Sequence, residues 1–206
     1  TLLLGGFALL RALWQSRAVM RRRHPGVVFS TGGYVAVPAG MAASTLGVPL
    51  VLLNPDAAPL MSTRMLKSLA SGVLWGFDGE AAGAAGEKGL VTGNPVRADI
   101  ARIAPPAQRY AGRDGPLSLL VIGGSLGAQV LNETLPAALA LLAPAQRPRV
   151  VHQCGAKHVE TVQSAYRNAA VDAEIIPFID DIAALYAAAD VVLCRAGAIT
   201  VSELAV

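Results

Sequence analysis

Two stretches of this chain combine residue types that suit anion and sugar binding. In Leu119-Leu120-Val121-Ile122-Gly123-Gly124-Ser125-Leu126-Gly127-Ala128, an apolar run leads into a glycine-rich turn and then into a segment of helical periodicity. Glycine lets the backbone approach a phosphate closely, and the amides and positive dipole of a helix start favour negative charge. Ser125 would add a hydroxyl donor. The spacing is not G-x-G-x-x-G, and no Gly-Lys-Ser/Thr follows, so neither a dinucleotide fingerprint nor a Walker A loop is matched. A plain strand-to-helix turn capped by Ser125 fits these residues equally well.

The second stretch, Cys194-Arg195-Ala196-Gly197-Ala198-Ile199-Thr200-Val201-Ser202-Glu203, repeats the order of strand end, glycine turn and helix start. Thr200 and Glu203 have capping-box spacing, which is one reading. The other gives Glu203 a vicinal diol, because a carboxylate accepts two hydrogen bonds and sugar-nucleotide sites need such an acceptor for ribose. Gly32-Gly33, ahead of Tyr34 and a helix expected from about Pro38, is more simply a steric necessity than a ligand-facing turn.

Other chemistries have less support. His24 sits among arginines, His158 falls in an expected helix, and His152 closes a strand beside Gln153. None is a clear general base, although strand carboxyl ends are where α/β sites gather. Asp180 and Asp181 read as a helix cap in preference to metal ligands. Cys154 and Cys194 lack CxxC spacing, so neither a disulfide scaffold nor a zinc site is indicated and a reducing cytosol fits.

The elements that must position these residues follow from periodicity. Short β-branched runs alternate with longer apolar-periodic segments, which predicts an α/β protein of parallel strands joined by crossover helices. Strands are expected near Val27–Ser30, Leu50–Leu53, Val73–Phe77, Leu90–Thr92, Leu117–Ile122, Val150–Gln153, Glu174–Ile176 and Val191–Cys194. Helices are expected at Ala128–Leu142, His158–Ala170, Ile182–Ala188 and from Ile199 onward. Residues 94–115, with Pro95, Pro105, Pro106, Gly112 and Gly115, read as a linker between domains at 1–93 and 116–206.

Among 206 residues, 53% are hydrophobic and 15% charged, which excludes intrinsic disorder. A net charge of +3 is too mild to make nucleic acid the partner. The opening apolar run is interrupted at Arg11, well short of the roughly 20 residues a spanning helix needs. Its positive charges follow the apolar stretch, which argues against a secretory signal. Leu3, Phe7, Leu10 and Trp14 recur at helical spacing, and Arg11, Arg17 and Arg21 to Arg23 supply charge. That face either packs into a core, the reading the pattern favours, or touches an anionic membrane. Neither end of the sequence carries a cap or terminal strand, so it reads as an internal segment of a longer chain.

Five motifs in order carry a family resemblance: Val28–Leu46 with Gly32-Gly33-Tyr34-Val35, Gly93-Asn94-Pro95-Val96-Arg97, Gly123 to Ala128, Phe178-Ile179-Asp180-Asp181, and Cys194 to Ala198 with Ser202-Glu203. Along nearly its whole length the chain resembles the MurG family of bacterial N-acetylglucosaminyltransferases. The resemblance implies a GT-B fold, two Rossmann-like domains facing across a cleft with the sugar nucleotide mainly on the second. It implies inverting transfer of N-acetylglucosamine from UDP-N-acetylglucosamine to lipid I, the undecaprenyl-diphosphate-linked muramyl peptide, giving lipid II and UDP in peptidoglycan synthesis. No metal or other cofactor is implied. The place implied is the cytoplasmic face of the bacterial inner membrane, as a peripheral protein.

Residue by residue, the resemblance makes Arg97 a donor-binding cation and Ser125 a contact to the diphosphate. Ile179 meets uracil through its backbone, Ala198, Ile199, Thr200, Val201 and Ser202 frame the donor, and Glu203 takes the ribose diol. Phe7, Leu10, Arg11 and Trp14 become the membrane contact. Three departures stand out: the family's glycine-rich loop with a histidine, the expected source of the catalytic base, has no counterpart here; Leu53-Asn54-Pro55-Asp56 replaces His-Glu-Gln-Asn; and a donor-contacting glutamine beyond the Ser-Glu helix is missing. On that basis the segment alone is expected to be inactive. The alternatives are a non-hydrolysing UDP-N-acetylglucosamine epimerase, which shares the architecture and donor, and a catalytically inactive sugar-nucleotide-binding module.

Overall fold

The computed structural model describes residues 2–83, 88–124 and 127–206, and the chain divides into two compact units, Thr1–Pro95 and Val96–Val206. In the first, α1 (Leu2–Arg23) is followed by β1 (Val28–Ser30), α2 (Ala36–Thr45), β2 (Leu50–Asn54), α3 (Met61–Leu66), β3 (Gly72–Trp75), α4 (Glu80–Gly83) and β4 (Gly89–Val91). The four strands form one parallel sheet in sequence order. β2 is apolar at nearly every position because a parallel strand covered by helices has no wet face. Leu50, Leu52, Leu66, Val73 and Trp75 make the core. A Cβ on Gly40 would lie 2.7 Å from Leu66 Cδ1, so the absent side chain is what lets α2 pack closely. α2 starts at Ala36, ahead of the expected Pro38, because a proline in a first helical turn costs no backbone hydrogen bond.

The face of α1 bearing Phe7, Leu10 and Trp14 does not enter this core, which corrects the reading favoured by its pattern. Phe7 is 69% exposed and Trp14 71%. The helix packs on α2 through a different face, with Ala12, Leu13 and Ser16 half-buried and Arg17 bonded to the Thr45 hydroxyl. Among the described residues no helix is long and apolar enough to cross a membrane.

The second unit begins with two short helices, α5 (Ala98–Ala101) and α6 (Pro106–Arg109). It continues through β5 (Ser118–Ile122), α7 (Gln129–Ala140), β6 (Arg149–Gln153), α8 (Val159–Asn168), β7 (Glu174–Ile176), α9 (Ile182–Ala188), β8 (Val191–Cys194) and α10 (Ala198–Leu204). Its sheet is also parallel, in the order β7-β6-β5-β8. Alternation along β5 sends Val121 to one face, with Leu135, Leu139, Val162 and Tyr166, and Leu120 to the other, with Tyr186 and Ala189. The stretch read as a linker joins this unit from Val96 onward, because Ile100, 2% exposed, is seated in the second of these clusters. Val96 and Ile103 pack against the same cluster, but an apolar run this short, bounded by Pro95 and Pro105, is hard to tell from a loop by periodicity.

The strand order has a consequence for position. β6 and β7 lie to one side of β5 and β8 to the other, so the order reverses at β5. The turns leaving β5 and β8 therefore sit side by side at the carboxyl edge, where open parallel sheets place their ligands.

Candidate functional site

At the end of β5 the backbone turns through Gly123 and Gly124. The Gly123 amide donates to both the backbone oxygen and Oε1 of Gln153, each at 3.1 Å. A Cβ on Gly123 would lie 2.6 Å from the Ala128 nitrogen, and one on Gly127, at φ +78°, would lie 2.1 Å from the Cys154 carbonyl oxygen. The glycines are thus demanded by close approach to the end of β6. Gln153, 3% exposed, also donates from Nε2 to the carbonyls of Gly124 at 2.8 Å and Pro177 at 3.1 Å. α7 takes Ala128 as its N-cap, with no side-chain cap bond among the described residues. Ser125 lies outside the described residues.

Behind the turn runs a buried polar chain. Asn132 Nδ2 donates to the Cys154 carbonyl at 3.1 Å, which leaves its Oδ1 to accept from His152 Nε2, also at 3.1 Å. His152 Nδ1 then accepts from the Tyr166 hydroxyl at 3.0 Å. Burial lowers the His152 pKa to about 4, so the ring is neutral and fully engaged. Its role is structural.

The turn after β8 is built differently from the capping-box expectation. Gly197 is the N-cap of α10 and makes no side-chain bond, so Thr200 and Glu203 both lie within the helix. Glu203 instead meets two partners: its Oε2 accepts from the Tyr186 hydroxyl at 3.1 Å, and its Oε1 stands 3.8 Å from a guanidinium nitrogen of Arg97. Burial and then the charge of Glu203 push the Tyr186 hydroxyl well above its usual pKa, so it remains a donor.

Two contiguous hollows open here. One, of about 330 Å³, is lined by Ile122, Gly123, Gly124, Arg195, Ala196, Gly197 and Thr200. The other, of about 220 Å³, shares Ile122, Gly124 and Thr200 and adds Arg97, Gln153, Phe178, Ile179, Ile182, Tyr186 and Glu203. Of the residues expected at a site, Arg97, Ile179, Thr200 and Glu203 are brought together. Ala198, Ile199, Val201 and Ser202 lie along α10 without lining either hollow, and Ile199 and Val201 are exposed. A larger hollow of about 480 Å³ lies at the opposite edge, where the strands begin. Arg113 there is bonded to Asp190, whose carboxyl the Ser118 amide and that guanidinium hold below its ordinary pKa. Size alone therefore does not mark the site.

Asp181 caps α9, its Oδ1 accepting from the Ala184 amide at 2.9 Å. Among the described residues, no group of His, Cys, Asp and Glu is placed to hold a metal. In the first unit, buried Asn54 accepts from the Leu60 amide and Thr63 hydroxyl and donates to the carbonyls of Asp56 and Ala58, pinning the loop after β2. Tyr34, after Gly32 and Gly33, is fully exposed. Gln153 and Tyr186 escaped the sequence reading. The one signal for Gln153 was its place at a strand's carboxyl end.

Parallel α/β units in tandem, the second with paired glycine turns at its strand-order switch, define the GT-B class of fold. A model of the glycosyltransferase family 28 N-terminal domain matches residues 2–75, and one of the family 28 C-terminal domain matches residues 118–206. The chain belongs to glycosyltransferase family 28.

Among curated relatives, the UDP-N-acetylglucosamine--N-acetylmuramyl-(pentapeptide) pyrophosphoryl-undecaprenol N-acetylglucosamine transferase of Methylibium petroleiphilum is 56% identical over 98% of this chain and 55% of its own length. The protein of the same name from Herminiimonas arsenicoxydans is 54% identical over 97% of this chain and 56% of its own. The chain thus spans about half the length of the curated relatives it matches. A crystal structure of Acinetobacter baumannii MurG aligns with a TM-score of 0.79 at 33% identity, covering 97% of this chain and 55% of that one. The UDP-GlcNAc 2-epimerase of Neisseria meningitidis bound to UDP-GlcNAc aligns at 0.60 with 14% identity, over 93% and 60%, a likeness of fold alone.

Proposed function

We propose that the intact protein is an inverting glycosyltransferase that moves N-acetylglucosamine from UDP-N-acetylglucosamine to lipid I, giving lipid II and UDP, and that the second unit binds the donor. The observation that carries the donor half is the convergence of Arg97, Ile179, Thr200 and Glu203 on the hollows beside the Gly123–Gly124 turn. Glu203 would repel a diphosphate, so the ribose hydroxyls are its fitting partner. The diphosphate belongs at the glycine turn, where α7 presents its positive end with no side-chain cap among the described residues. Dipoles fixed there before reaction, with Arg97, would stabilise the charge that grows on departing UDP. The acceptor half rests on the names of relatives at 51–56% identity.

Transfer also requires a base for the acceptor hydroxyl, and His152, sealed behind the turn, is not that base. The exposed face of α1, with Phe7, Leu10, Trp14 and Arg11, supports a peripheral contact with the cytoplasmic face of the inner membrane beside the lipid-linked acceptor. The test is incubation of the intact protein with radiolabelled UDP-N-acetylglucosamine, with and without lipid I. Label entering the lipid fraction only when lipid I is present is expected. Epimerised donor without transfer would overturn the reading, and so would donor binding with no turnover.

A further inference from the structure

We propose that Tyr186 is a positioning residue of the donor site, its hydroxyl holding Glu203 in the orientation that accepts the two ribose hydroxyls and so making the site selective for ribonucleotides. The inference rests on the donor reading above and adds to it the device that sets the carboxylate.

A glutamate on a helix surface has three rotatable bonds, and fixing it for a diol costs conformational entropy. Here that ordering is done beforehand. The Tyr186 hydroxyl donates to Oε2 at 3.1 Å, Arg97 faces Oε1 at 3.8 Å, and the Glu203 side chain is left 14% exposed. Tyr186 is itself only 6% exposed, packed with Ile100 and Leu120, so its hydroxyl is delivered from a rigid base.

That base is secured from a distant part of the chain. Arg109 donates to the carbonyls of Tyr186, Ala187 and Ala189, and Arg113 donates to those of Ala187 and Ala188. These carbonyls end α9 and would otherwise lack intrahelical partners. At the other end of α9, Asp181 caps the helix two residues after Ile179, which lines the same hollow with Phe178. One short helix therefore carries both the proposed uracil-facing loop and the donor to Glu203.

The test is titration calorimetry of the intact protein with UDP and with 2′,3′-dideoxyuridine diphosphate, on wild type, Tyr186→Phe, Glu203→Gln and the double variant. Wild type should prefer UDP. Tyr186→Phe keeps the ring and its packing and should weaken UDP binding about tenfold while leaving the dideoxy compound unaffected, as expected for loss of one hydrogen bond to a charged group. Adding Tyr186→Phe to Glu203→Gln should change nothing further. The role of Tyr186 is overturned if Tyr186→Phe retains the wild-type preference, if it weakens both nucleotides equally, or if its effect persists in the Glu203→Gln background. Wild type that binds neither nucleotide would overturn the donor reading itself, and wild type that binds both equally would remove the diol from Glu203.

Discussion

Gln153 Nε2 donates to the carbonyl oxygen of Gly124 across 2.8 Å, tying the last residue of β6 to the turn that leaves β5. The same amide group bonds Pro177 and accepts from Gly123, so one side chain couples the glycine turn to the loop entering α9. Replacing it with methionine, similar in length and apolar, would leave the Gly124 and Pro177 carbonyls short of a donor and the Gly123 amide with only its backbone bond to Gln153. Gln153→Met is expected to cost at least about 2 kcal/mol in urea unfolding and to weaken UDP-N-acetylglucosamine binding more than about tenfold. Unchanged donor affinity would show that the turn holds its shape without Gln153.

The glycines of this turn are needed for two different reasons, which substitution separates. Gly124 and Gly127 both have positive φ, +80° and +78°, but among the described residues a Cβ on Gly124 meets nothing within 4 Å, whereas one on Gly127 collides with the Cys154 carbonyl. Gly124→Ala should cost only the conformational penalty, about 1 kcal/mol. Gly127→Ala forces backbone apart and should cost well over about 2 kcal/mol. Equal melting temperatures for the two variants would contradict this distinction.

Stability should depend on pH through His152. Its pKa is about 4 in the fold against 6.5 for the free side chain, so between these values the unfolded chain binds a proton that the folded chain does not. Stability therefore falls as pH drops through that window, by up to about 3 kcal/mol, and this contribution levels off below it. Tyr166 and Asn132, which face the ring, do not titrate there. Urea unfolding at pH 7, 5.5 and 4 should show the decline, and His152→Gln should flatten it. A variant with the wild-type slope would assign the effect to other groups.

Much of this was legible in the sequence, for a physical reason. Buried parallel strands are nearly continuous apolar runs, and each of the eight observed strands overlaps an expected one. The helix expected at Ala128–Leu142 is likewise present as α7, with Leu135 and Leu139 on its core face. Local pattern failed where partners are remote. Arg109 and Arg113 lie in a proline-rich stretch with the look of a linker, and their function is to satisfy carbonyls 74 to 80 residues away. Thr200 and Glu203 have capping-box spacing, yet Gly197 starts α10 earlier and frees Glu203 for Tyr186. The stripe at Phe7, Leu10 and Trp14 has the spacing of a core face and yet lies exposed, because periodicity fixes which residues share a face and not what meets it.

That stripe carries its own prediction. Arg11 and Trp14 are exposed, while Arg17 is engaged with Thr45. In the intact protein, Trp14→Ser with Arg11→Glu should reduce binding to phosphatidylglycerol vesicles, and raised salt should weaken what binding Arg11 supports. Arg17→Glu should lower the melting temperature instead, by disturbing the packing of α1 on α2. Unchanged vesicle partitioning in the double variant would remove the membrane role of this face.

The most direct test of the donor site is titration of the intact protein with UDP-N-acetylglucosamine, comparing wild type with Glu203→Gln. Saturable binding by wild type, weakened at least about tenfold in Glu203→Gln at an unchanged melting temperature, is the predicted result. No binding by wild type, or equal affinity in the two proteins, would contradict the account.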